Sequence, residues 1–277
     1  MMQRISERLI SAFYVMLGSI IALLISSLPY ATAEETSEWH SIEFIGVEKL
    51  PETPEAIQAG KALYRKKCVW CHGISGKGDG PIAFQMGAPG NPRPRDLTKG
   101  AYKFRSTPSG KLPTDEDLFL TITRGLSGTS MPAWRGLTET QRWQLVYYTK
   151  TLSGKFLIEP PAVPIEIGRE IPLTYESRKQ GREFYIKFQC WQCHGTSGRG
   201  DGPAAVDQKD EWNNPNPPTN LMNPEEYKGG RSPRDIYRTL ATGLGGASMP
   251  AFYPALNDEQ LWHLANYVAS LAERGNR

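Results

Sequence analysis

Ahead of any other feature, the pattern of apolar and polar positions divides the chain. An uncharged, largely apolar run extends from Leu9 to Leu28, behind the basic Arg4 and Arg8. No later stretch is apolar enough over such a length to span a bilayer. Downstream, apolar positions recur at helical spacing. Leu261, Leu264, Ala265, Val268 and Leu271 form one stripe, as on a helix turned towards a core. No segment alternates convincingly with the period-two pattern of a strand, so the expected class is mainly α. A short helix is expected to begin near Gly60 and another near Gly181. Further helices are expected after Thr114 and Ser232, whose hydroxyls can accept from the first free backbone amides. The last helix of each set should open at Thr138 or Asn257, with Gln141 or Gln260 in capping-box position. Between these elements lie Gly/Pro-rich loops, including PGNPRPRDL and NNPNPPTNL.

The helical outline occurs twice because the sequence does. Residues 60–80, GKALYRKKCVWCHGISGKGDG, match residues 181–202, GREFYIKFQCWQCHGTSGRGDG. TRGLSGTSMPAW (123–134) matches ATGLGGASMPAF (241–252), and the closing segments 137–152 and 256–271 also correspond. One domain of about 100 residues is thus used twice. The expected organisation is a leader at 1–33, an extension at 34–54, a first domain at 55–153, a linker at 154–173 and a second domain at 174–277. Pro160, Pro161, Pro164 and Pro172 make that linker an extended, stiff connector.

The leader has the form of an export signal, with Ala31-Thr32-Ala33 as a small-residue cleavage site before Glu34-Glu35. Its apolar run is long enough to be retained as an uncleaved anchor instead. Either way the remainder is expected on the far side of the membrane, in the periplasm, touching the bilayer only if the leader stays. The formal charge of +3 and the lack of a long basic tract exclude nucleic acid as a partner class. Gly and Pro together exceed a sixth of the chain. Loop-rich domains with modest cores usually need something more to hold them together, and a large apolar cofactor can supply it.

The four cysteines fall into two C-x-x-C units, each followed at once by histidine. Two thiols so spaced on one helical turn can each add to a vinyl group of a porphyrin, and the next imidazole then reaches the iron from the same side. Zinc would need further ligands near each pair, and a dithiol oxidoreductase would be expected within alternating strands and helices. Cys68 and Cys71 with His72, and Cys190 and Cys193 with His194, are therefore expected to attach one haem c apiece, two in all. For the sixth iron ligand the candidates are Met131 and Met249, in matching S-M-P-A contexts 59 and 55 residues beyond their histidines. The following proline stiffens each loop. His40, His263, Met86 and Met222 have no equivalent in the other repeat. A thioether raises the potential relative to bis-histidine ligation and closes the coordination sphere, which points to electron transfer rather than catalysis.

Each repeat resembles a class I cytochrome c domain: G-x-x-L-Y ahead of the attachment site, C-x-x-C-H, M-P, and a closing aromatic helix. The resemblance implies a loop-rich α fold wrapped around one covalent haem, with the first and last helices crossing at Gly60 and Gly181 against Tyr147 or Tyr148 and Tyr267. It implies a proline carbonyl accepting from the iron-bound histidine, for which Pro81 and Pro203 are the nearest matches. Arg105 and Arg231, after Tyr-Lys in both copies, are expected to bind haem propionates, and Trp134 to pack on the first haem. The basic group Lys61, Arg65, Lys66 and Lys67 suits a solvated helix end or a docking patch for an acidic partner. The expected function is a dihaem electron carrier, a subunit or shuttle of a respiratory oxidoreductase. A molybdenum-type enzyme is one comparison suggested by the segment 103–118. The alternatives are a dihaem peroxidase or another dihaem c-type enzyme.

Overall fold

The computed structural model describes residues 48–87, 92–160, 162–210 and 213–275; the leader and His40 lie outside them. The first repeat comprises α1 (Pro54–Lys67), α2 (Val69–His72), α3 (Asp115–Arg124) and α4 (Glu139–Lys150). After α5 (Lys155–Ile158), the second comprises α6 (Tyr175–Lys187), α7 (Trp191–His194), α8 (Pro233–Thr242) and α9 (Asp258–Gly275). Short 3-10 turns occupy the intervening loops, and among the described residues the only β feature is an isolated bridge between Lys209 and Pro215. None of the described helices is long and apolar enough to cross a membrane.

Capping explains most of the helix starts. Thr114 and Thr138 each close a reciprocal box, with Asp117 and Gln141 respectively. Ser232 accepts from the Asp235 amide, and Asn257 and Gln260 cap each other at the start of α9. The first helix of each repeat departs from the sequence expectation. α1 and α6 begin six residues ahead of Gly60 and Gly181, because Thr53 and Thr174 cap them, with Pro54 as the first helical residue of α1. Both helices also stop at a lysine before the attachment motif, which starts afresh as the single turns α2 and α7.

The two glycines consequently sit inside helices, at the crossing. A Cβ on Gly60 would lie 1.9 Å from the Gln144 carbonyl oxygen, and one on Gly181 1.9 Å from that of His263. Only glycine permits backbones this close. Beside the crossing, Tyr64 packs on Tyr148 and Tyr185 on Tyr267, with ring centroids 5.1 and 5.3 Å apart. Deeper in each core a second matched pair, Phe119 with Trp143 and Tyr237 with Trp262, sits at 4.3 and 4.7 Å. α4 packs against α1 and α3, as α9 does against α6 and α8.

The connector is less of a free spacer than its prolines suggest. Its first residues form α5, and Ile165, Ile167 and Ile171 pack on the core of the second repeat. The repeats also meet directly. Arg105, only 2% exposed, donates across the seam to the Thr242 carbonyl at 2.8 Å. Arg124 pairs with Asp235 at 3.2 Å, and the Phe104 ring lies against Gly229.

Candidate functional site

A large cavity opens over the attachment turn of each repeat, which forms its floor. α2 and α7 are single turns, so their carbonyls need partners from outside the helix. The glycine-rich stretch after each motif supplies them. In the first repeat the Gly78 amide donates to the His72 carbonyl, Gly80 to Cys71 and Ile82 to Trp70, at 2.9–3.1 Å. Gly200, Gly202 and Ala204 do the same for His194, Cys193 and Gln192 at 2.8–3.1 Å. Gly73 and Gly195 turn the chain at positive φ, +74° and +76°. The buried Tyr64 and Tyr185 hydroxyls donate to the carbonyls of those two glycines at 2.9 and 2.7 Å.

His72 and His194 are oriented by a backbone carbonyl each. Nδ1 of His72 lies 3.2 Å from the Arg95 carbonyl oxygen, and Nδ1 of His194 lies 3.1 Å from that of Thr219. These partners replace Pro81 and Pro203, which follow the attachment turn too closely in the chain to perform this role. The accepting residues instead directly follow Pro94 and Pro218 in the Gly/Pro-rich loops. Burial pushes both imidazoles down from the ordinary histidine range, opposed by the carbonyl bond. A neutral ring with its Nδ1–H committed leaves the Nε2 lone pair for a metal.

The cysteines line the same cavities: Cys68 and Cys71 the first, Cys190 and Cys193 the second. All four are unlinked by disulfides. Burial first, then the neighbouring cysteine, pushes the Cys68 thiol up to about 12. The Cys190 thiol is pushed up to about 11, chiefly by burial. Such neutral thiols suit permanent attachment better than rapid dithiol exchange, which depends on thiolate.

Met131 and Met249 stand in the cavity walls. Their loops are superimposable in bonding: Leu126 donates to the Met131 carbonyl and Leu244 to that of Met249, at 3.0 and 3.1 Å. Gly125 and Gly243, at positive φ, let each loop close over the preceding helix, since a Cβ at either would meet the following Met-Pro-Ala backbone at 2.5 Å. These glycines went unremarked in the sequence, although the repeated G-L before S-M-P-A marks them. Met86 also lines the first cavity, whereas Met222 lines neither. His263 is buried against Ser177, 2.8 Å away, outside both cavities.

The two cavities enclose about 190 Å³ in the first repeat and about 350 Å³ in the second. Their paired thiols, available imidazole and thioether fit a covalently attached haem c. On the first wall, Trp134 Nε1 and Tyr102 Oη are buried with no protein partner. Orphaned buried donors of this kind fit a group that brings its own acceptors, such as carboxylates.

Neither arginine expected at the propionates lines a cavity. Arg105 spends its guanidinium on the carbonyls of Pro108, Tyr102 and Thr242, and serves the seam between repeats. Arg231 is exposed and pairs with Glu225 at 3.2 Å. The cations that do line the cavities are Arg93, Arg95 and Lys67 in the first, and Lys103 and Lys228 in both.

Comparison with known proteins agrees with this geometry. Residues 179–272 match the family described as Cytochrome c, and residues 55–148 that described as Cytochrome C oxidase, cbb3-type, subunit III. The cbb3-type cytochrome c oxidase subunit FixP of Sinorhizobium medicae (strain WSM419) is 28% identical over 161 residues, 51% of this chain and 50% of that protein. The chain therefore spans about half the length of the curated relative it matches. A chain of the Kuenenia stuttgartiensis reducing HAO-like protein complex is 42% identical, with a TM-score of 0.74; the match covers 77% of this chain and 96% of that one.

Proposed function

Given that the chain belongs to the cytochrome c family, as a duplicated class I c-type cytochrome whose business is electron transfer, we propose that it carries two haem c groups and relays single electrons in the periplasm. It would serve as a subunit or dedicated shuttle of a respiratory oxidoreductase. The observation that carries this reading is the repeated cavity: two thiols and a neutral imidazole on the floor, a methionine in the wall.

When bound, haem iron supplies a reversible one-electron couple. The chain's own residues hold it and fix its surroundings. Cys68, Cys71, Cys190 and Cys193 are the proposed thioether anchors, His72 and His194 the fifth ligands, and Met131 and Met249 the sixth. The carbonyls of Arg95 and Thr219 would keep the proton on Nδ1 and leave Nε2 free to bind the iron. The loops braced at Gly125 and Gly243 hold the methionines in the cavity walls, and with the methionines as ligands neither site would keep an open position for peroxide.

Support for an assembly partner comes from the relatives, one named as an oxidase subunit and one as part of a reducing protein complex. The periplasmic assignment rests on the export-type leader, which precedes the described residues.

Haem content of purified variants tests the reading. Replacing Cys68 and Cys71 by alanine should leave one covalent haem per chain, as should replacing Cys190 and Cys193. Retention of two would refute the attachment sites. Met131→Ala and Met249→Ala should each abolish one sulfur–iron charge-transfer band. An unchanged spectrum in Met131→Ala would shift the first site's ligand to Met86, and peroxide turnover by the unmodified protein would favour a peroxidase.

A further inference from the structure

The two cavities share a wall. Lys103, Phe104 and Lys228 line both of them, although the first two belong to one repeat and the third to the other. The lysines occupy matching places, each after the tyrosine of a Tyr-Lys pair, so the wall repeats the internal symmetry of the chain. Lys103 Nζ reaches across to donate to the Asn216 side-chain oxygen, a neutral acceptor, at 2.8 Å.

This arrangement concentrates positive charge where solvent is largely excluded. Burial first, then Arg95 and Lys228, push the Lys103 ammonium down to about 8, against the pull of Asp210. Burial likewise pushes Lys228 down, opposed by Glu226. Asp210 and Glu226 offset this only in part, so two half-buried ammonium groups lining one wall would gain from further anions. Haem c carries its propionate carboxylates on one edge, and a haem in either cavity would place anions within the same enclosure.

We propose that Lys103 and Lys228 form a carboxylate-binding clamp shared by the two haem sites, each ammonium acting on the propionate edges of both haems. The clamp rests on the two-haem reading above. It makes each lysine an electrostatic determinant of both potentials, not only of the site in its own repeat. A positive charge beside a haem favours the reduced form, so its removal must lower the potential.

The test uses the full-length holoprotein, with Lys103→Met and Lys228→Met made singly. Pyridine haemochrome assay counts the haems, and spectroelectrochemical titration resolves the two potentials. Each single variant should lower both potentials, changing each redox equilibrium constant by about tenfold, the size expected for one charge at roughly 10 Å in partly buried surroundings. Lys103→Arg, which keeps the charge, should restore both. Two haems with a shift at one site only, or at neither, would overturn the clamp while leaving the haem reading intact. A shift in Lys103→Arg as large as in Lys103→Met would also overturn it, because packing rather than charge would then be responsible. Fewer than two covalent haems in the unmodified chain would overturn the haem reading, and the clamp with it.

Discussion

In the first repeat, the segment leading into the long helices is held on α3 and α4 largely by charge; in the second, the corresponding segment is held on the core largely by apolar side chains. Lys49 binds Asp115 and Glu116 at 2.9 and 3.1 Å, and Lys150 binds Glu52 and Asp115 at 2.7 and 2.8 Å. The Tyr147 hydroxyl donates to the Leu50 carbonyl, and the Lys49 ammonium stands over the Trp143 ring. On the other side, Ile165, Ile167 and Ile171 join a continuous core. Trp262 Nε1 donates to the Gly168 carbonyl at 3.2 Å and Asn266 Nδ2 to that of Ile171 at 2.9 Å. The cavity floors of the two repeats match bond for bond, while their outer straps share only a side-chain donor from the closing helix to a strap carbonyl, Tyr147 to Leu50 and Asn266 to Ile171, and differ in the rest. The two repeats thus agree at the cavity floor and differ most where the chain only closes over the core.

The shared part should be the most sensitive to change. Gly60→Ala and Gly181→Ala would each drive a methyl group into a carbonyl on the crossing helix, and each should cost about 3 kcal/mol or more. Thermal unfolding followed at the haem bands would show it; a cost below about 1 kcal/mol for either would mean that the crossing yields easily. Smaller effects distinguish the straps. Asn266→Ala should destabilise the second repeat by about 1–3 kcal/mol, leaving the Ile171 carbonyl short of a donor. That loss should be nearly independent of salt.

Asp115→Asn should cost the first repeat less, about 1 kcal/mol, because the pairs are only partly buried, and added salt should shrink the difference. The pH dependence follows from the directions of the shifts. Burial works against the Asp115 carboxylate, but Lys150 and Lys49 outweigh it and hold the group below the ordinary range. Its contribution is therefore present above the unfolded-state value and lost as pH falls through the depressed one. Lys49 and Lys150 are raised by their carboxylate partners despite burial. Their contribution is full below the ordinary lysine value and lost as pH rises through the raised one. Acid titration should loosen the first strap ahead of the second. Simultaneous loosening would erase the contrast.

Local chemistry was legible in the sequence to a large extent. C-x-x-C-H and the caps at Thr114, Thr138, Ser232 and Asn257 depend on neighbours within a turn or on internal repetition, and the structure places them accordingly; the crossing at Gly60 and Gly181 was implied by the family resemblance. What escaped the sequence depends on the tertiary path of the chain. The carbonyls that orient His72 and His194 come from residues 23 and 25 positions away. Thr242, the partner of Arg105, lies 137 positions away. An arginine after Tyr-Lys in both copies suggested an anion site, but the lysines, not the arginines, line the cavities. The early starts of α1 and α6 were legible in Thr53-Pro54 and Thr174, a capping hydroxyl ahead of each helix.

The buried reach of Arg105 into the opposite repeat has a consequence for the connector. With that guanidinium bound to Thr242, Arg124 paired to Asp235 and the Ile165 amide bonded to the Ser106 carbonyl at 2.8 Å, the two halves do not rely on the peptide chain between them for their association. Leu157, Ile158 and Val163 are about 80% exposed and offer a protease its cut. A nick there should yield two fragments that still elute together under native conditions and separate only in denaturant. The tandem duplication has become, in effect, a heterodimer whose subunits happen to be translated as one chain.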